Sequence, residues 1–128
     1  MNTCELYLYN LSTPKGVQIK ALCKQLKVTC KKVNVEQYLL PIGVVTGLLP
    51  PPVAPVENKD NLHFLDEMLL FKGFANEEIA DFLTAYRKKG IESVELKAGM
   101  TPHNVNWNSI ELHHELVDER DSLRKMKE

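Results

Sequence analysis

The sequence predicts an α+β fold in which duplicated β-α-β units form a four-stranded sheet with helices packed on it, closed by a C-terminal helix. Three observations predict it. Strand-helix-strand patterning occurs twice, over 5–36 and 65–98. The apolar helical stripes Ile19, Leu22, Cys23, Leu26 and Ile79, Phe82, Leu83, Tyr86 coincide at an offset of sixty positions, as a duplicated unit requires. A chain of 128 residues, 44% of them hydrophobic, suits one domain with a packed core. A ferredoxin-like arrangement is the first expectation. The alternative is a small parallel sheet with helices on both faces, because the connection from Glu36 to Leu65 is too long for a hairpin.

Glu5–Leu11, crowded with leucine and tyrosine, reads as a buried strand. Thr13-Pro14 reads as an N-cap with proline in the first helical position, and apolar residues from Val17 to Leu26 extend a helix over about 14–27. A second strand covers Cys30–Val35. Leu65–Phe71 is strand-like and Gly73 suits a tight turn. A helix follows with Asn76 as N-cap, acids in its first turn and Arg87-Lys88-Lys89-Gly90 at its end. Ser93–Lys97 alternates as a strand, Ala98–Trp107 is a loop, and a last helix covers 109–125.

The net charge of −1 excludes a strongly basic nucleic-acid arm and an acidic disordered tail. Charge is nonetheless uneven. Residues 1–56 carry six lysines against Glu5 and Glu36, a net +4, and residues 57–128 carry −5. The lysines Lys15 to Lys32 lack arginine and interleaved aromatics, which argues against nucleic-acid binding. The start of the chain lacks the basic lead of a secretory signal. Three cysteines, Cys4, Cys23 and Cys30, without Cys-x-x-Cys spacing, suit reduced thiols in the cytoplasm.

The charge-free arm Gln37–Val56 is long enough to span a membrane, but its five prolines argue against a span. Leu39, Leu40, Ile42, Val44, Val45, Leu48 and Leu49 are too apolar for a free linker and are the candidate partner-binding residues, with self-association as the expected use. Pro50-Pro51-Pro52 favours extended polyproline II.

The Thr101–Trp107 loop is the most specific feature. Thr101, His103, Asn104, Asn106 and Trp107, with Gly73, are the candidate ligand-binding residues, since polar side chains beside an indole face suit a polar ligand. A structural role competes with that reading. Asn108 and Glu111 have capping-box spacing, and Trp107 with Leu112 has the spacing of a hydrophobic staple. His113 and His114 point about 100° apart on a helix, and His114 with Asp118 makes only two ligands, so no metal and no cofactor are expected. Cys23 sits on the apolar stripe. Cys30, beside Lys31 and Lys32, is the one cysteine placed to be reactive.

The second unit (Leu70-Phe71-Lys72-Gly73-Phe74, then Leu96-Lys97-Ala98) leads into Thr101-Pro102-His103-Asn104-Val105-Asn106-Trp107 and a closing Leu-x-x-Glu-Leu-type helix. Together with Leu40-Pro41-Ile42-Gly43 and Thr46-Gly47, it resembles the bacterial family called domain of unknown function 3783. The resemblance implies a small cytoplasmic protein of anaerobic, mostly Gram-positive bacteria and assigns no activity. The expected function is a non-catalytic binding or protein-interaction module. The alternative is an enzyme or small-ligand-binding protein that uses the Thr101–Trp107 loop.

Overall fold

The computed structural model describes residues 3–126. In chain order its elements are β1 (Glu5–Tyr9), α1 (Pro14–Gln25), β2 (Thr29–Lys32), a 3-10 turn at Val35–Gln37, α2 (Ile42–Val45), β3 (Met68–Lys72), α3 (Asn76–Lys88), β4 (Leu96–Gly99) and α4 (Ser109–Met126). They fall into two compact units, Met1–Lys32 with Asp66–Met100 and Val33–Leu65 with Thr101–Glu128.

The first unit is a four-stranded mixed sheet of order β2-β1-β3-β4. β1 runs parallel to β2 (Leu6 opposite Cys30) and antiparallel to β3 (Leu6 opposite Phe71), and β3 runs parallel to β4 (Leu70 opposite Ala98). The α+β class with a C-terminal helix is therefore correct. The ferredoxin-like expectation needs correction. In that fold another strand separates the two strands of each β-α-β unit. Here each unit keeps its own strands side by side, and the antiparallel β1–β3 pair joins the two. That central pair also excludes the all-parallel alternative.

The core explains the helix assignments. Leu6, Leu8, Leu69 and Phe71 alternate onto one face, where Ile19, Leu22 and Cys23 of α1 and Phe82 and Tyr86 of α3 join them. Tyr7, Tyr9, Met68 and Leu70 point the other way and are buried as well. A strand buried on both faces reads as a continuous apolar run, which is why β1 and β3 stand out in the sequence.

Several boundaries shift for local reasons. β1 ends at Tyr9 because Asn10 turns left-handed (φ 59) and its amide donates to the Asp66 carbonyl at 2.9 Å. β2 stops at Lys32, and Leu65, expected to open β3, is exposed and lies outside the sheet unit. β4 begins at Leu96 rather than Ser93. The Ser93 and Val94 carbonyls accept from Lys15 (3.1 Å) and Lys97 (2.6 Å). Gly99 closes β4, and Met100 donates to the Phe71 carbonyl at 2.8 Å.

α1 starts as expected, with Thr13 Oγ1 accepting from Gly16 N–H at 3.2 Å and Pro14 in the first turn. Its end was not signalled by glycine. Lys27 takes the left-handed position (φ 60), and Val28 N–H reaches the Cys23 carbonyl at 2.8 Å, forming a Schellman turn. α3 begins one residue earlier than expected. Glu78 accepts from Ala75 N–H at 2.8 Å, so Ala75 and not Asn76 is the cap position. Gly90 follows that helix at φ 71.

Candidate functional site

The second unit holds the apolar arm and the Thr101–Trp107 loop, and it brings them together. Ile42 N–H donates to the Trp107 carbonyl at 2.7 Å, and Gly43 N–H to the Val105 carbonyl at 2.9 Å. Pro41 and Asn108 form an antiparallel bridge, and Ser109 N–H reaches the Tyr38 carbonyl at 3.0 Å. The approach at Gly43 is close. A Cβ there would lie 2.7 Å from the Val105 and Leu49 side chains, so a larger residue would have to displace them. Thr46 is buried and satisfies its hydroxyl on the Ile42 carbonyl at 2.9 Å.

This docking divides the arm. Ile42 is fully buried, Leu39, Leu40, Val44, Val45 and Leu49 are half-buried, and Leu48 is 58% exposed. Every residue from Pro50 to Glu57 is exposed. Both flanks of that stretch are tied down. Leu49 N–H donates to the Gly43 carbonyl at 2.8 Å, and the Asn58 amide donates to the Val35 and Leu62 carbonyls, both at 2.9 Å.

The loop itself closes on its own backbone. Asn104, buried, accepts from Thr101 N–H at 2.9 Å. The Thr101 hydroxyl accepts from the backbones of His103 (3.2 Å) and Asn104 (3.3 Å). The side chains of His103 and Asn106 face solvent. Trp107 is half-buried, with the His103 ring edge-on at 5.3 Å. Gly73 belongs to the other unit, where it forms a left-handed turn (φ 78) and its carbonyl accepts from the Cys4 thiol at 3.5 Å. The side chains of Thr101 and Asn104 thus bond to backbone, and those of His103 and Asn106 meet water.

The loop hands the chain to α4 through a reciprocal cap. Asn108 Oδ1 accepts from Glu111 N–H at 2.8 Å, and Glu111 returns the contact to Asn108 N–H at 2.9 Å. Asn108→Ala removes one half of this cap and is expected to lower stability by about 1 kcal/mol, read by urea denaturation. An unchanged midpoint would show that the cap carries no weight.

The adjacent histidines separate. His113 stacks on Phe64 at 3.9 Å, and Phe64 on Tyr38 at 5.0 Å. His114 is exposed and lies 3.4 Å from Asp118. Among the described residues no group of three or more His, Cys, Asp or Glu side chains is placed to hold a metal. No helix among them is long and apolar enough to cross a membrane.

Two juxtapositions in the sheet unit have no local sequence signal. A cleft of about 220 Å³ is lined by Cys4, Leu26, Val28, Phe74, Glu78, Asp81 and Phe82. In it the Cys4 thiol lies 3.6 Å from Glu78, and burial together with that carboxylate raises its pKa. The second places Cys30, opposite Leu6 on edge strand β2, against the core cluster that holds Cys23. Both are assembled by the packing of helices on the sheet, which residue spacing does not encode.

Among the lysines of the basic half, Lys15 is committed to Glu67 at 2.6 Å within the sheet unit. No curated protein and no solved structure matches the chain. Residues 67–123, from the edge of β3 through α3, β4, the closed loop and most of α4, match the model of the family described as Domain of unknown function (DUF3783), the one that the Thr101–Trp107 segment and its closing helix resemble.

Proposed function

We propose that the protein is a non-catalytic interaction module that presents Pro50–Val56 to an aromatic-lined groove of a partner protein. One observation carries the reading: this segment is exposed along its whole length while both of its flanks are anchored. Pro52-Val53-Ala54-Pro55 has the Pro-x-x-Pro spacing that such grooves accept. Four prolines preset the extended polyproline II backbone and remove donors that would need partners. Little conformational freedom is left to lose on binding, and that favours affinity. Val53 and Val56 extend the apolar surface, and so does Leu48 next to the segment.

The arm's earlier apolar residues spend part of their surface inside their own unit, so self-association would use Leu48 and the Pro-rich stretch. The loop supports the module reading over a ligand site, because its polar side chains are bonded to backbone or face water. The two β-α-β units with stripes sixty positions apart support descent by duplication. Three cysteines outside any disulfide suit a bacterial cytoplasm.

Site-specific photo-crosslinking tests the reading. A benzoylphenylalanine at position 53, irradiated in the cells that make the protein, is expected to give one discrete adduct. Replacing Pro52 and Pro55 by serine should abolish it, and excess Pro-Pro-Pro-Val-Ala-Pro-Val peptide should compete it away. An adduct at twice the chain mass identifies a second copy as the partner. An absent adduct, or one indifferent to both treatments, defeats the proposal.

A further inference from the structure

We propose that α4 pairs antiparallel with the α4 of a second copy of this chain, so that the protein is a two-fold dimer joined through its last helix. The helix outruns the cover that its own unit gives it. Ser109 and Leu112 are buried, and Leu116, Val117 and Arg120 are half-buried. From Asp121 to Met126 every residue is exposed, with Leu123 at 58% and Met126 at 83%. Helices owe most of their stability to a packed apolar face, and in this half of α4 the apolar residues meet water.

The charge pattern names the occupant. Glu111, Glu115, Asp118 and Glu119 make the first half of α4 acidic, without a lysine or arginine. Arg120, Arg124 and Lys125 against Asp121 make the second half basic. Residues four apart form one row along a helix. Glu115-Glu119-Leu123 is an acidic row, and Leu116-Arg120-Arg124, beside it, is a basic one. The acidic row borders a groove of about 490 Å³ lined by Glu115, Asp118, Glu119, Ser122 and Leu123.

A second copy running in the opposite direction lays its basic row into this groove, in the packing of such rows that crosses at about −50°. With the two-fold axis between Glu119 and Arg120, Leu116 meets Leu123 of the second copy, Arg120 meets its Glu119 and Arg124 meets its Glu115. Every contact occurs twice, as an isologous interface requires. A parallel pair in register would instead set acids against acids and bases against bases. The leucines supply the apolar burial, and the charges fix orientation and partner. Arg120 already lies 3.3 Å from Asp121, and His114 3.4 Å from Asp118; both are surface ion pairs, which hold their geometry weakly and compete little.

Sedimentation equilibrium of the full chain is the test, up to about 100 μM because a single helix pair is a small interface of micromolar affinity. Twice the chain mass is expected. Leu123→Asp should raise the dissociation constant at least about tenfold, since it sets a charge in the seam beside the acidic row. Arg120→Glu with Arg124→Glu makes both rows acidic, and Glu115→Arg with Glu119→Arg makes both basic. Each double variant should be monomeric alone, and the two should form a mixed dimer when combined; far-ultraviolet dichroism checks that each has folded. Pro52→Ser with Pro55→Ser should leave the dimer unchanged, which separates this contact from the proline-rich segment. A parent chain that is monomeric at the highest concentration, a dimer indifferent to Leu123→Asp, folded charge-reversed variants that do not recombine, or a dimer lost with the two prolines would overturn the proposal.

Discussion

Phe82→Ala is expected to lower stability by about 3–5 kcal/mol, the range for truncating a buried aromatic. Phe82 is 3% exposed and stands at the centre of the sheet unit's aromatic cluster. Phe71 meets it edge-on at 5.7 Å, Phe74 at 6.0 Å, and Tyr86 lies at 6.4 Å. Alanine removes one partner from all three contacts and opens a cavity between α3 and the sheet. For a domain of this size the loss amounts to a fall of about 10–20 °C in Tm. Phe82→Leu keeps most of the volume and should cost less than about 1.5 kcal/mol. Thermal and urea melts of both variants check the pair. If the alanine variant melts like the leucine variant, the aromatic cluster does not hold α3 in place.

Gly16→Ala is expected to destabilise the protein by about 3 kcal/mol or more, against the usual preference of helices. Within a helix, alanine is better than glycine by about 1 kcal/mol. At this position a Cβ would lie 1.7 Å from the Leu11 carbonyl oxygen and 2.8 Å from its carbon. Both are backbone atoms in the link from β1 to α1, so neither can swing aside as a side chain would. Relief requires moving the start of α1, which breaks the Thr13 cap and shifts Ile19 and Leu22 in the core. Overpacking of this kind costs about 1–3 kcal/mol where neighbours can adjust, and more where they cannot. A Gly16→Ala protein melting at or above the parent temperature would show that the β1–α1 link yields freely.

How much of the site was legible in the sequence follows from the range of each interaction. The Asn108–Glu111 cap was readable, because both partners lie within one helical turn. The Trp107–Leu112 spacing pointed to a staple; the edge-on contact of the half-buried indole with the His103 ring at 5.3 Å had no such signal. The apolar character of the arm correctly signalled burial at Ile42. It did not identify the Thr101–Trp107 loop as the surface receiving it, because backbone hydrogen bonds from Ile42 and Gly43 leave no side-chain pattern.

The order of strands and helices, the first turn of α1 and the close of α3 at Gly90 were all specified locally, by periodicity, caps and turn residues acting over a few positions. The order β2-β1-β3-β4 was not. β1 and β3 are buried on both faces, so their sequences lack the alternation that marks a face or a register. Which strand pairs with which depends on how α1 and α3 bury their stripes against the assembled sheet, a long-range packing choice. The same choice sets Cys30 against the core that holds Cys23, and Cys4 against Glu78. These chemical neighbours exist only once the chain has closed on itself.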